Sequence, residues 1–412
     1  MTDTTAGIGA RKTPARASFL ERRIEKIARR MLPGGLKGEL TIISPSGRRL
    51  SVGEPGVWPS AQLDIKSWKV IARAVQRGGN GFAESYIRGE IETADLTNLI
   101  RFFARNKAAL VTAGGSLFRS RGMDRLAHLL RNNSVAGSRR NIAAHYDLGN
   151  GFYDLWLDET MTYSSALFGG ENRTLAEAQS AKYQTILDAL ELSDGAEVLE
   201  VGCGWGGFIE HALKAQDVRV KAITVSKEQH AFAAERIAGH ARSGQAAVCL
   251  EDYRHVEGSY DGLVSIEMVE AVGEAHWPTY FKTLNARLKP GASAVIQAIT
   301  IAPEHFERYR RRADFVQRYV FPGGMLPTVP ILEDQAGKVG LKAETVVEFG
   351  PDYAETLRQW RVAFEAQWPA IAAQGFDVRF HRMWRYYLCY CEAAFTEGLT
   401  SVGIYRFTKP AG

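Results

Sequence analysis

The sequence predicts an α/β fold, a doubly wound sheet with a helical lid, joined to a smaller N-terminal α+β domain. Three observations predict it: a strand-and-helix rhythm from residue 176 to 299, a glycine-rich turn directly after its first strand, and a length of 412 residues, more than one core readily holds. A composition of 45% apolar and 24% charged residues suits a chain that packs into domains. No run reaches the roughly 18–20 apolar residues of a membrane span, and Arg11, Lys12 and Arg16 lead into a charged stretch, so the chain is expected to stay in the cytoplasm. Cys203, Cys249, Cys389 and Cys391 have neither zinc nor redox spacing and are expected as free thiols, with no metal site.

Residues 1–40 carry nine basic side chains against four acidic ones, and segment 119–140 sets six arginines against Asp124 alone. Such islands suit an anionic surface, lipid or nucleic acid, and equally suit solvated helix faces. Leu20, Ile24, Ile27 and Met31 recur at helical spacing, which predicts an amphipathic helix over 16–32 that either lies on a membrane or docks on its own domain. Alternating segments 39–44 and 48–52 about Pro45-Ser46-Gly47 predict a hairpin, and helical patterns at 67–77 and 93–113 complete a domain ending near 130. A basic linker, 131–140, leads to a second domain over 141–412.

In that domain helices are predicted at 176–190, 208–215, 228–240 and 277–288, and strands at 196–201, 218–225, 246–249, 260–266 and 293–299. The alternation argues for parallel strands. Segment 303–325, with a basic cluster at Arg308 to Arg312, and the aromatic-rich helical stretch 353–397 are expected to cover the carboxyl edge of the sheet, as a lid over about 303–400.

The strongest motif is Val198-Leu-Glu-Val-Gly202-Cys-Gly204-Trp-Gly206-Gly207 between a strand and a helix. Its glycines permit a tight turn and close approach to a ligand. A dinucleotide site would place G-x-G-x-x-G against pyrophosphate, which Glu200 would repel. A ligand bearing an ammonium and a sulfonium would be attracted. S-adenosylmethionine is such a ligand, and Glu200 with this turn resembles motif I of the Rossmann-like class I methyltransferases. The second strand ends Ile223-Thr224-Val225-Ser226-Lys227-Glu228-Gln229 without the acid that usually meets the ribose, and Asp252-Tyr253 follows the third strand, where a polar group and a ring face would meet the adenine.

Further blocks flank the glycine turn: Asn141 to Asn150 with His145-Tyr146-Asp147, Met161-Thr-Tyr163-Ser164-Ser165-Ala166-Leu-Phe168, Glu267-Met-Val-Glu270-Ala-Val-Gly273, Tyr319-Val-Phe-Pro322-Gly-Gly-x-Leu-Pro327 and Phe349-Gly-Pro-Asp-Tyr353. In this order, over roughly 140–410, they resemble the cyclopropane-fatty-acyl-phospholipid synthases and their mycolic-acid relatives. The resemblance implies a cofactor pocket lined by Tyr163, Ser164, Glu200, Gly202, Gly204, Thr224, Ser226, Gln229, Asp252 and Tyr253. It also implies methyl transfer to the double bond of an unsaturated phospholipid acyl chain, then loss of a proton to a base. The base it implies is a bound bicarbonate, held here by Ser165, Glu270, Gln297, the backbone of Ile299 and Tyr353. Ser165 stands in place of a cysteine and Gln297 in place of a histidine, and Ala271 stands where histidine is frequent. The anion site is therefore expected either to survive or to be retuned, with a ring, a methyl-branched chain or a methyl-alkene as product.

His145 and Tyr146 suit a cofactor lid or a structural role, and the Arg308 to Arg312 cluster a headgroup rim or a solvated face. The expected partners are unsaturated phospholipid and an anionic membrane surface, with peripheral association, and a homodimer is admitted. Nucleic acid is not expected, because no Asn-Pro-Pro-Tyr-type motif is present and the basic islands lie outside the catalytic blocks. A non-catalytic lipid-docking protein is the alternative of another class.

Overall fold

The computed structural model describes residues 35–114, 148–240 and 244–412, together with Arg22. Apart from Arg22, the amphipathic helix expected at 16–32 lies outside them, as do the basic island at 119–140, the linker, His145 and Tyr146. The chain forms two compact units, 1–120 and 121–412. Among the described residues no helix is long and apolar enough to cross a membrane, and no cysteine is in a disulfide.

In the first unit, β1 (Glu39–Ile43) and β2 (Arg49–Gly53) pair antiparallel as the expected hairpin, turning through Gly47 at φ +84°. Two strands not anticipated extend it: β3 (Ser60–Ile65), parallel to β1, and the short β4 (Ile91–Glu92). Leu40, Leu63 and Ile65 are buried from the sheet, and Tyr86, Leu99 and Phe102 from the helices. The single helix expected at 93–113 is two, Leu96–Arg105 and Lys107–Gly114. Asn106 stands between them: its buried side-chain amide donates to the Phe102 and Lys37 carbonyls and accepts from the Lys37 N–H, tying this point to the segment before β1.

The second unit is built on a seven-stranded sheet in the order β10-β11-β9-β8-β5-β6-β7. β5 (Ala196–Val201), β6 (Val218–Thr224), β7 (Ala246–Leu250), β8 (Tyr260–Ile266) and β9 (Leu288–Ile301) run parallel, as expected. The all-parallel expectation fails at one edge. β11 (Thr400–Thr408) runs against both β9 and β10 (Lys342–Glu348). The strand order reverses between β5 and β8, and a sheet of this kind opens a crevice at the carboxyl ends of the strands on either side of such a reversal. Over the sheet lie the helices Gly350–Ala366, Trp368–Ala373 and Val378–Thr396, whose Trp360, Phe364 and Trp384 are almost fully buried. The aromatics expected to face a ligand are thus in large part core.

Candidate active site

Glu200, Thr224, Asp252 and Glu267 stand at or just beyond the carboxyl ends of their strands. β5 delivers Glu200, 2% exposed, and then the glycine turn. Gly202 at φ +83° and Gly206 at φ +83° occupy backbone conformations open to glycine, and a Cβ on Gly202 would collide with the Met268 side chain. The N–H groups of Gly202 and Cys203 donate to the Ile223 carbonyl at 3.0 and 3.1 Å, tying the turn to β6. Gly204 is also left-handed, with open space where its Cβ would lie. Glu200 Oε2 has no hydrogen-bond partner, and burial pushes this carboxyl up to about 8 against the pull of Lys182 and Arg236. An orphaned, buried carboxylate oxygen beside a glycine turn fits a cationic ligand, which would satisfy and ionise it.

At the end of β6 the structure brings Thr224, Ser226 and Gln229 together, but they engage one another. Thr224 Oγ1 donates to Gln229 Oε1 at 3.0 Å, the Ser226 N–H donates to Thr224 Oγ1 at 3.1 Å, and Ser226 Oγ caps the helix Lys227–Ala238 by accepting from the Gln229 N–H at 3.3 Å. After β7, Asp252 is gripped by Arg254 through two hydrogen bonds of 2.8 and 2.7 Å; burial opposes its ionisation, and Arg254 more than offsets that, holding the carboxyl below its ordinary range. The neighbouring Tyr253 hydroxyl is buried without a partner, while its ring carries the Arg254 guanidinium 5.5 Å from the centroid.

Tyr163 belongs to an aromatic layer, with ring centroids 5.3, 5.6 and 5.2 Å from those of Tyr153, Trp156 and Trp360, and its hydroxyl 2.9 Å from that of Tyr387. Tyr153 also meets Trp205 of the glycine turn at 4.9 Å, so this layer joins the turn to the helical cover. Ser164 Oγ accepts from Lys182 Nζ at 2.8 Å. Lys182, on the helix Leu175–Ala189 and 0% exposed, was not anticipated as a site residue. Burial lowers its pKa, and Glu267, Asp158 and Glu200 pull the other way.

The second unanticipated residue is Glu267, which follows β8 in the left-handed region at φ +51°. Its Oε1 accepts from the Ser165 N–H and from Gln297 Nε2, both at 2.8 Å, and its Oε2 accepts from the Tyr353 hydroxyl at 2.7 Å. Burial raises its pKa, while the Ser165 N–H, Tyr353, Lys182 and Gln297 favour the ionised form. Glu270 lies in the next turn: its Oε1 accepts from the Ile299 N–H, its Oε2 is buried without a partner, and burial together with the Glu267 charge pushes it up to about 8. The Ser165 hydroxyl, expected to face an anion, donates to the Ala166 carbonyl at 3.1 Å instead.

Of the five residues expected around bicarbonate, Ser165 through its N–H, Gln297 and Tyr353 therefore donate to Glu267, and the Ile299 N–H donates to Glu270. A second anion at the same donors would meet the Glu267 charge at contact distance, so this donor set does not fit bicarbonate. The arginine cluster is likewise partly engaged, with Arg310 paired to Glu274 and Glu307, and Arg311 to Glu307.

The family model described as mycolic acid cyclopropane synthetase matches residues 134–404. The chain is 37% identical over 389 residues to tuberculostearic acid methyltransferase UfaA1 of Mycobacterium tuberculosis, covering 90% of this chain and 87% of that one. It is 33% identical over 346 residues to the cyclopropane-fatty-acyl-phospholipid synthase of Escherichia coli, covering 81% and 84%. The crystal structure of the mycolic acid cyclopropane synthase CmaA1 complexed with SAH and CTAB superposes with a TM-score of 0.61 at 29% identity, covering 66% of this chain and 98% of that one. These matches, the seven-stranded sheet and the acid-bearing glycine turn have one reading: the chain belongs to the mycolic acid cyclopropane synthetase family, and is a class I methyltransferase with S-adenosylmethionine as its cofactor.

Proposed function

We propose that the enzyme methylates the double bond of unsaturated acyl chains carried by membrane phospholipids. When bound, S-adenosylmethionine supplies an electrophilic methyl on a sulfonium, which the π electrons of the alkene take up, leaving a cation on the neighbouring chain carbon. The observation that carries the reading is the pair of carboxyls, Glu267 and Glu270, set in one turn after β8 across the sheet reversal from Glu200. A carboxylate fixed at Glu267 beside a forming cation lowers its energy and needs no reorganisation as the charge appears, while the developing cation favours ionisation of Glu270. Glu200 would hold the ammonium side of the cofactor, with Gly202 and Gly204 admitting it closely. Tyr253, whose hydroxyl lacks a partner, would meet the adenine. Tyr163 and Tyr353, backed by the buried Trp360 ring, would exclude water and offer ring faces to the cation. The similarity to the Escherichia coli synthase supports an acyl phospholipid as substrate.

A second reading keeps the transfer and changes the product. Glu267 among the donors expected for bicarbonate, and the 37% identity to tuberculostearic acid methyltransferase UfaA1, favour an open, methylated chain over a ring. The N-terminal 130 residues, with their basic segment, are assigned by this proposal to holding the enzyme peripherally on an anionic cytoplasmic membrane surface. Purified enzyme given S-adenosylmethionine and unsaturated phospholipid vesicles should release the demethylated cofactor and yield acyl chains heavier by one carbon. Proton NMR of those lipids then separates ring methylene, vinylic and saturated methyl products. Absence of both demethylated cofactor and heavier chains overturns the transfer, and equal sedimentation with neutral and anionic vesicles at low salt overturns the membrane assignment.

A further inference from the structure

Three of the five residues that resemblance assigns to a bound anion converge on a side chain. The Ser165 N–H, the Gln297 amide and the Tyr353 hydroxyl come from three separate parts of the fold, the loop before the helix Leu175–Ala189, strand β9, and the helix Gly350–Ala366, and all three donate to the Glu267 carboxylate. A carboxylate and a bicarbonate share the planar, two-oxygen anionic face that such donors select. We infer that Glu267 is itself the base of this enzyme, occupying the place of an exogenous anion, so that turnover requires no bicarbonate. The inference rests on the methyl-transfer reading above.

Four observations support it. Glu267 is held at φ +51°, a conformation that costs a non-glycine residue about 1–3 kcal/mol and turns its side chain toward those donors. Gln297 donates through Nε2 at 2.8 Å while its Oε1 is buried without a partner, so the amide is oriented for a carboxylate at the expense of its own acceptor. Ser165 and Gln297 are both 0% exposed, whereas Glu267 retains partial exposure, as a group that meets a reacting chain must. Burial also raises its pKa, which makes the carboxylate a stronger proton acceptor.

The step balances without another reagent. After transfer, the Glu267 carboxylate removes one proton from the cationic chain and becomes a carboxylic acid. If the proton comes from the new methyl, its C–H electron pair closes the third side of a ring. If it comes from a neighbouring chain carbon, the pair becomes a double bond. The acid then returns the proton to solvent.

The test compares wild type, Glu267→Gly and Glu267→Gln on unsaturated phospholipid vesicles in carbon dioxide-free buffer, with and without added bicarbonate. Glycine suits the φ of this position and leaves the three donors facing a space the size of a small anion. Wild-type turnover should be the same in both buffers. Glu267→Gly should lose about 10²-fold or more in depleted buffer, the span of a general base, and recover at least about tenfold when bicarbonate or formate is added. Glu267→Gln, which fills the space without basicity, should stay inactive in both buffers while binding S-adenosylmethionine normally by calorimetry. A readout independent of turnover is thermal: bicarbonate should raise the Tm of Glu267→Gly and leave that of wild type unchanged. Wild-type turnover that collapses on depletion and returns with bicarbonate overturns the inference, as does full turnover by Glu267→Gln in depleted buffer. Failure of wild type to transfer methyl in either buffer would instead overturn the methyl-transfer reading, and the thermal comparison would still report whether Glu267 fills an anion site.

Discussion

Glu200 offers a test of the cofactor site that needs no lipid. In the free enzyme its carboxyl is pushed up to about 8 by burial, so below that pH it is largely protonated. A ligand carrying an ammonium and a sulfonium favours the ionised form, so binding must expel the proton. The sign follows: affinity is fully expressed above pH 8 and falls as pH drops below it, by up to tenfold, or about 1.4 kcal/mol, per unit. Between pH 8, where half of the free enzyme is already protonated at Glu200, and pH 6 the fall should approach about 50-fold, or about 2.3 kcal/mol. Isothermal titration with S-adenosylmethionine at pH 6.5, in two buffers of different ionisation enthalpy, reads the proton count directly. Wild type should release close to one proton more than Glu200→Gln, and the substitution should flatten the pH dependence over this range. Equal proton release by the two proteins at pH 6.5, or wild-type affinity that is level from pH 6 to 8, would refute the placement of Glu200 against the cofactor's positive charge.

Glu270→Gln should lower kcat by about 10²-fold or more, while S-adenosylmethionine affinity by calorimetry stays within a few-fold, because Glu270 bonds the Ile299 N–H and not the glycine turn. Lys182→Met keeps the length of a fully buried chain and removes the cation that opposes protonation of Glu200, so the pH midpoint for cofactor binding should move upward from that of wild type in the same titration. Trp360→Ala removes a fully buried ring packed on Tyr163, Trp156 and Tyr353, and should destabilise the unit by about 3–5 kcal/mol in denaturant unfolding followed by fluorescence.

The parts of this fold that were legible in the sequence are those whose causes are local. β5 was expected to the residue, because an apolar strand, an acid and a glycine turn follow one another within ten positions. β11 was not expected at all. Gly403 interrupts its apolar alternation, and the reason is tertiary: a Cβ there would press on the Tyr405 ring at 2.8 Å and the Val347 carbonyl at 3.0 Å. β10 reads as a polar segment because almost every residue on this edge strand is exposed. Lys182 left a faint signal, a cation on the helical stripe that buries Ala178, Ile186 and Leu187, yet only the fold reveals that Ser164 and three carboxylates surround it. Glu200 and Glu270 are candidates that their motifs single out, and both carry a buried carboxylate oxygen without a partner. Glu267 lies in the same motif as Glu270, but a left-handed backbone angle and donors 30, 86 and 102 positions away in sequence leave no trace in local spacing.

Gln297 and the backbone of Glu267 are better understood together. A histidine at position 297 would bring its own proton equilibrium to a cluster that already holds Lys182, Glu267 and Glu270, and its protonation would compete with that of Glu267. Glutamine donates from Nε2 at every working pH and cannot carry the proton away. Its orphaned Oε1 costs about 1–3 kcal/mol, and the φ +51° of Glu267 a similar amount. Both serve the position of a single carboxylate, and stability surrendered twice at the same point is what a preorganised reacting group requires of its surroundings.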